Sequence, residues 1–543
     1  MNIHLGLLSV GLLAFACSQT KTIEIPEAKK SQDSNPAVVD ADSPKQTEPK
    51  DDSTSDQDPN ETTQEGGGTT PVIPVVPVVY AEFPGAHAAV ASLQTFYDPA
   101  TGLWSSGWWG SANTLTSVID YMELSGSREF LNVVDTTFEK NKSANFVNEF
   151  YDDTAWWGLA WLRAYDLTKQ QKYLDMAKAT ADAMMNTGWD ETCGGGIYWK
   201  TDKASKNAVE NELYIKLAAG LHNRIPGDTK YLANAVKTWK WFLASGLINS
   251  SNLINDALVK STCKNNGDLT WSYNQGIILG ALTELYRATQ DMTYLTKAKE
   301  LALASTKSLV VSGNILKERN DPGCGTCMGD ERLFKGAYVR NLRELNDVLK
   351  DASFETYLAT NAKTAWDKAR SNDLIGFRWE GPFDSYDAQR QTSAVDLFNS
   401  RLKNKFSTNL ALSKPTVASG SCAATEAGAQ AVDGSAKTKW CAMIATGGTG
   451  AMLDIDLGAE KALKSIRILH AGAGGEALLW NTAAYEVLTG NASSGPFTEA
   501  VKVTGNKSSA TYHELTGKAR FIRLHISNGG ADSVARIYEV NVE

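Results

Sequence analysis

Long apolar runs are scarce. The run at the N-terminus, Leu5 to Ala16, is too short to span a bilayer, which takes about 20 residues, and a polar tract follows it at once, so it reads as an export signal. Sustained runs of Lys or Arg are also missing, and the formal charge of −9 leaves no electrostatic footprint for nucleic acid. Histidine is sparse. Of six, at positions 4, 87, 222, 470, 513 and 525, only His87 and His222 fall in the central helical region, which argues against an epimerase that uses histidine as its base. With Cys17 set aside, six cysteines remain, an even number that suggests disulfides in an exported chain. Cys324-Gly-Thr-Cys327 has no second CxxC and no nearby His to complete a zinc site. No cofactor motif is present.

Ala14, Phe15 and Ala16 before Cys17 resemble a bacterial lipobox, which implies a lipid-anchored, exported protein with Cys17 modified. Residues 18–80 hold 12 Asp/Glu against 5 Lys and end in Gly66-Gly67-Gly68 and PVIPVVPVV. That composition cannot bury enough apolar surface to offset chain entropy, so it predicts a solvated tether with a stiffer end. Outside the tether the charge nearly cancels, as suits a neutral ligand.

From 81 to 406 apolar residues recur at helical spacing and strand-like alternation is rare. An aromatic-Leu pair marks every second helix: Phe130-Leu131, Tyr173-Leu174, Tyr231-Leu232, Tyr294-Leu295 and Tyr357-Leu358, at separations of 43, 58, 63 and 63 residues. About six helical hairpins in a compact domain predict a closed all-α (α/α)6 barrel. Counting back 20 positions from each landmark puts Gly110, Asp153, Asn211, Asn274 and Ala337 at equivalent places near the starts of the inner helices. Around them fall Trp108, Trp109, Asn113, Tyr151, Asp152, Trp156, Trp157, Glu212, Tyr273, Gln275 and Lys335. Carboxyls for chemistry, amides for hydroxyls and indoles for pyranose faces are what a sugar site requires. From 407 to 543 the period changes to two, in LDIDL (453–457), SIRIL (465–469), FIRLHIS (521–527) and YEVNV (538–542), which predicts a β-sandwich. Cys422 and Cys441 are expected partners within it, and the other four cysteines leave three pairings open.

Asp152-Asp153 supplies the two carboxyls that glycoside cleavage needs, one protonated and one ionised. Adjacent carboxylates repel and burial adds to the effect, so their pKa values should separate. Consecutive Cα atoms are about 3.8 Å apart, which favours the short carboxyl spacing of retaining enzymes. Asp pairs also simply cap helices, as Asp51-Asp52 in the tether shows how cheap the dipeptide is.

YDDTAWWGLAWLRAYDLT (151–168), CGGGIYWKTD (193–202) with NELYIKLAAGLH (211–222), WSYNQGIILGALTELYRAT (271–289) and FKGAYVRNL (334–342) resemble, in order, the motifs of glycoside hydrolase family 76. The resemblance implies an (α/α)6 barrel with retaining endo-α-1,6-mannanase activity on α-mannan or manno-oligosaccharides and no catalytic cofactor. It implies Asp152 as nucleophile and Asp153 as acid/base, with Trp109, Asn113, Trp156, Trp157, Asn211, Tyr273, Asn274 and Gln275 lining subsites. The C-terminal region, with AVDGSAKTKW (431–440) and IYEVNVE (537–543), resembles the discoidin-like family 32 carbohydrate-binding module, a jelly-roll sandwich. That resemblance implies a structural Ca²⁺ held by Asp433, Thr438 and Glu539. Trp480 and Asn481 form an aromatic-amide pair suited to sugar. A transglycosidase using the same intermediate and a non-catalytic glycan-binding surface lipoprotein remain as alternatives.

Overall fold

The computed structural model describes residues 82–402, 409–444 and 450–543. The leader expected at 1–17 with Cys17, the tether expected at 18–80 and the domain boundary expected at 406/407 lie outside them.

Among the described residues twelve α-helices build the first domain: α1 (Glu82–Gln94), α2 (Trp108–Ser125), α3 (Leu131–Asn141), α4 (Tyr151–Thr168), α5 (Gln171–Ala183), α6 (Ala208–His222), α7 (Lys230–Ala244), α8 (Ser272–Thr289), α9 (Met292–Ser308), α10 (Glu331–Leu349), α11 (Ala352–Lys368) and α12 (Ala388–Asn399). The even-numbered helices form a closed ring, each against the next and α12 back on α2. The odd-numbered helices lie outside, and α1 completes the sixth pair by packing on α12. This is the predicted (α/α)6 barrel. Four of the five aromatic-Leu landmarks sit at the start of an outer helix, and Tyr357-Leu358 sits in the second turn of α11.

The inner helices are buried almost all round because both of their faces meet protein, one the barrel axis and the other the outer layer. Glycine lets them approach closely. A Cβ at Gly276 of α8 would stand 2.4 Å from the Tyr338 Cα of α10, so any side chain there would force the two helices apart.

Connections from outer to inner helices gather at one end and are not slack. Those before α2, α6, α8, α10 and α12 carry short antiparallel ladders, such as Tyr97–Asp98 with Leu103–Trp104, and Lys206–Asn207 with Ala257–Val259 and Lys264–Asn265. The opposite end is charged. A cavity of about 220 Å³ there is lined by Arg163, Lys216, Arg224 and Arg343 facing Glu284 and Glu344, cations that suit the negative ends of the inner-helix dipoles.

The second domain pairs a five-stranded antiparallel sheet, in the order Thr416–Ala418, Ala451–Ala462, Lys518–Asn528, Ala484–Gly490, Phe497–Val503, with a four-stranded one, Trp440–Met443, Val534–Val542, Ser465–His470, Ala510–Glu514. The period-2 reading holds in detail: Ile522, Leu524 and Ile526 are buried, while Arg523 and His525 face outward onto Asp454 and Glu486. The sandwich is fixed to the barrel near the C-terminal end of α2. Leu469, Ala473, Ala510 and Tyr538 join the barrel's apolar cluster, and Ser508 meets His87 Nε2 at 2.6 Å.

Disulfides join Cys193 to Cys263, Cys324 to Cys327 and, as expected, Cys422 to Cys441.

Candidate active site

Asp152 and Asp153 occupy the first turn of α4, at the end of the barrel where the connections gather. Asp152 Oδ1 accepts from the Asp153 amide (2.9 Å) and Oδ2 from the Trp199 indole N–H (2.9 Å). Asp153 Oδ2 accepts from Asn148 Nδ2 (2.7 Å). Burial, then the charge of Asp153, pushes Asp152 up to about 7. Burial, with Asp330 adding to it, pushes Asp153 up to about 6. The values separate as expected, but the higher one falls on Asp152.

More acid surrounds the pair than the sequence disclosed. Asp256 is raised to about 6 by burial and by Asp268. Glu210 and Glu212, both fully buried on α6, are raised well above the usual carboxylate range by burial first, and then by the charges of Asp152 and Asp256 on Glu210 and of Glu210 and Asp256 on Glu212. Crowded carboxyls in a low-dielectric mouth resist ionisation together, a condition suited to acid catalysis near neutral pH.

An aromatic wall stands beside them. Phe334 stacks on Tyr273 (4.0 Å between centroids) and meets Trp271 (5.5 Å) and Trp109 (6.4 Å), and Trp109 in turn faces Trp156 (6.2 Å). Trp109, Trp271, Tyr273 and Phe334 are half-buried, leaving apolar ring area open to a ligand.

Several residues expected to line subsites do other work. The fourth residue of five inner helices bonds the backbone of the preceding connection. Ser111 Oγ meets Trp104 N and O (3.1 and 3.2 Å), and Thr154 Oγ1 donates to Phe150 O (3.0 Å). Asn211 brackets Ile197 N and O (2.8 and 3.0 Å), Gln275 brackets Ile254 N and O (2.8 Å each), and Gln391 Oε1 accepts from Ile375 N (3.0 Å). Asn211 and Gln275 are therefore loop braces, their polar atoms committed to backbone. The sixth such position is Phe334, in the aromatic wall. The count of 20 also slips: Glu210, not Asn211, is the third residue of α6 as Asp153 is of α4, and Leu333, not Ala337, is the third of α10, because the α6–α7 connection is longer and Tyr357 lies deeper in α11 than Tyr173 does in α5.

Trp157 is fully buried, stacked on Trp161 (5.6 Å) and against Trp108 and Phe146, so it belongs to the core. Its neighbour Trp156 is turned about 100° round the helix, onto the wall. Asn113 is buried with Oδ1 bonded to Arg340 (2.6 Å). Asn274 is buried with neither side-chain atom paired. Lys335 is buried and donates to the Phe377 carbonyl, away from the wall. Trp199, Asn148, Asp256, Asp330 and Phe334 were not singled out from the sequence. Trp199 and Phe334 lay inside quoted motifs, whereas the other three sit on connections without a motif.

In the sandwich, Thr438 Oγ1 donates to Asp433 Oδ2 (2.7 Å), and Glu539 Oε2 accepts from Gly434 N (3.1 Å). Burial, with the Asp433 charge adding to it, pushes Glu539 up to about 8. Two carboxyls and a hydroxyl thus converge where negative charge is in excess, a donor set that fits a hard cation. Asn481 is a brace, accepting from Gly472 N (2.7 Å) and donating to Lys507 O (3.0 Å). Trp480 carries the Arg536 guanidinium 5.1 Å from its ring centroid.

A helical barrel with two adjacent, raised carboxyls beside an aromatic wall at its mouth has the features of a glycoside hydrolase. Comparison with known proteins agrees. Residues 85–413 match Glycosyl hydrolase family 76 and residues 415–540 match the F5/8 type C domain. The chain belongs to glycosyl hydrolase family 76, with an F5/8 type C domain behind the barrel.

Among similar proteins, mannan endo-1,6-alpha-mannosidase DFG5 of Candida albicans is 24% identical over 325 residues, 53% of this chain and 71% of that one. DCW1 of the same organism, also a mannan endo-1,6-alpha-mannosidase, is 27% identical over 266 residues, 44% of this chain and 58% of that one. The GH76A alpha-1,6-mannanase from Salegentibacter sp. HEL1_6 superposes with a TM-score of 0.54 at 28% identity, covering 59% of this chain and 99% of that one. An inactive variant of that enzyme, with two aspartates at consecutive positions changed to asparagine, holds alpha-1,6-mannotriose (TM-score 0.53, 27% identity, covering 59% and 99%).

Proposed function

We propose that this protein is a retaining endo-α-1,6-mannanase, with Asp152 as nucleophile and Asp153 as acid/base. The observation that carries the reading is the Asp152-Asp153 pair at the start of α4 beside the aromatic wall, with two N–H donors on Asp152 and an amide on Asp153. Donors on both oxygens favour the ionised form and fix its aim. Asp152 attacks the anomeric carbon while Asp153 gives its proton to the departing glycosidic oxygen, so the C–O bond breaks as the glycosyl ester forms. Asp153, now ionised, takes a proton from water, whose oxygen attacks the same carbon and releases Asp152. A sugar hydroxyl in place of that water gives a longer glycan. The substrate class rests on the relatives, named for α-1,6-mannan, and on the mannotriose complex.

The mechanism needs one proton on the pair. With Asp152 pushed up to about 7 and Asp153 to about 6, that form is most populated between these values. The higher value on Asp152 makes the working arrangement, with the proton on Asp153, the less populated one in the free protein. Incubation with unbranched α-1,6-mannan should release mixed short oligomers early, with a bell-shaped rate maximum between pH 6 and 7. Mannose alone from the first time points would overturn endo action, and products longer than the input would establish transfer instead of hydrolysis.

Asp433, Thr438 and Glu539 would hold Ca²⁺, which would tie the turn at 433–438 to strand Val534–Val542 and neutralise the two carboxylates. Chelation should then lower the melting temperature of the full chain, with Ca²⁺ restoring it. An unchanged melting temperature would remove the ion.

A further inference from the structure

The connection between α5 and α6 folds over the start of α4 and is held from several sides. Tyr151 N donates to Trp199 O (2.9 Å) and Thr201 N to Glu149 O (3.0 Å), so residues 199–201 run beside 149–151. Asn211 brackets Ile197. The Cys193–Cys263 disulfide fastens the connection to the one before α8. At its base the Lys206 ammonium, 2% exposed, meets four oxygens: Asp190 O (3.1 Å) and Oδ1 (2.9 Å), Thr192 O (2.7 Å) and Gly195 O (2.6 Å). A buried cation with that many acceptors closes residues 190–206 as a bound metal would.

All of this ends at one side chain. The Trp199 ring stands edge-on to Phe150 (5.1 Å), and its N–H lies on Asp152 Oδ2 at 2.9 Å. The Asp153 amide already fixes Oδ1. A carboxylate held at both oxygens by rigid donors has one orientation and a preferred charge.

We propose that Trp199 is a positioning residue for the glycosidic reaction: held by the braced connection 188–207, its indole N–H aims Asp152 and favours its ionised form for attack. Among the described residues it is the side-chain donor on Asp152, beside the backbone amide of Asp153. The ionisable groups facing Asp152 are Asp153 on α4, Glu210 on α6 and Tyr273 on α8, none of them cationic. Lys200, the nearest cation in sequence on the connection, is paired with Glu149 (3.1 Å) and lies over Phe150. The indole works against burial and the Asp153 charge, the two influences that raise Asp152.

The inference rests on the reading of Asp152 as nucleophile, and the test separates the two. Full-length Trp199→Phe, which removes the N–H and keeps a ring, should lose about 10- to 100-fold in kcat on α-1,6-manno-oligosaccharides with KM little changed. The basic limb of its kcat/KM profile should move up by about one pH unit, because Asp152, the group of higher pKa in the free protein, holds its proton longer once it loses a donor, while the acidic limb stays. Replacement of Trp199 by benzothienylalanine, in which sulfur stands for the N–H at nearly constant shape, should give the same shift and guards against misfolding of the Phe variant. A parent-like kcat and basic limb in the isostere would overturn the role of Trp199 while Asp152→Asn stays inactive. An active Asp152→Asn would remove the nucleophile reading itself.

Discussion

Asp153→Ala is expected to turn over unbranched α-1,6-mannan about 10²- to 10⁴-fold more slowly than the parent, the usual contribution of a positioned acid/base. It should still cleave an aryl glycoside of α-1,6-mannobiose, because a phenolate departs without a proton and Asp152 can form its ester unaided. Hydrolysis of that ester then lacks a base, so intermediate accumulates in a burst. Azide, which needs no base, should restore turnover and give a glycosyl azide of retained configuration. Asp152→Ala should behave differently, losing turnover on both substrates by more than about 10⁴-fold, since no covalent route remains. Any azide product from it would be inverted, formed by one displacement. The roles assigned here make the rescue one-sided, and retained product from the Asp152 variant would reverse them. This test matters because the free-protein pKa order, about 7 for Asp152 and about 6 for Asp153, runs against the roles that their donors support.

The barrel was legible because its repeat is physical. Every outer helix must present an apolar stripe at the same height, so Tyr173-Leu174 and Tyr231-Leu232 recur where α5 and α7 begin. The place of Asp152-Asp153 at an inner-helix start on the mouth was legible because the 20-residue count and the surrounding indoles set it apart from a bare capping dipeptide such as Asp51-Asp52. Subsite residues were less so. Asn211 and Gln275 are amides at the mouth, but a carboxamide that brackets a backbone N–H and C=O differs from one awaiting a hydroxyl only in what the preceding connection does. Trp156 and Trp157 are adjacent, and one residue of rotation sends one to the wall and the other to the core. Trp199 reaches Asp152 across 47 residues, and Asp256 meets the acid cluster from the connection before α8. Those encounters depend on loop paths set by the Cys193–Cys263 link and the Lys206 cluster, which no local pattern encodes.

Glu344→Gln should destabilise the protein by about 3–5 kcal/mol, the range for removing one partner from a buried charge pair. Glu344 on α10 is 8% exposed and sits 2.7 Å from Lys216 Nζ of α6. Burial alone would raise its pKa, but Lys216, Arg343 and Arg163 overcome that and hold it well below the usual carboxylate range. The neutral amide would leave the Lys216 side chain, 12% exposed, bonded to the Asn341 amide oxygen at 2.5 Å without its ion-pair partner, while Arg163 keeps Asp120 and Glu123. The sign with pH follows. A carboxylate whose folded pKa is depressed contributes stability above its unfolded value, about 4.3, and loses it as pH falls toward the folded one. Asp152 at the mouth behaves oppositely: its raised folded pKa makes its contribution greatest below about pH 4 and drains it as pH rises toward 7. The base of the barrel therefore offsets, near neutrality, the cost of keeping crowded acids at the catalytic end. Urea unfolding of Glu344→Gln and parent at pH 7 and pH 3.5 should show a gap that is largest at pH 7 and narrows in acid. An equal gap at both values would mean that Glu344 acts through packing alone, and a gap under about 1 kcal/mol at pH 7 would place it with exposed ion pairs.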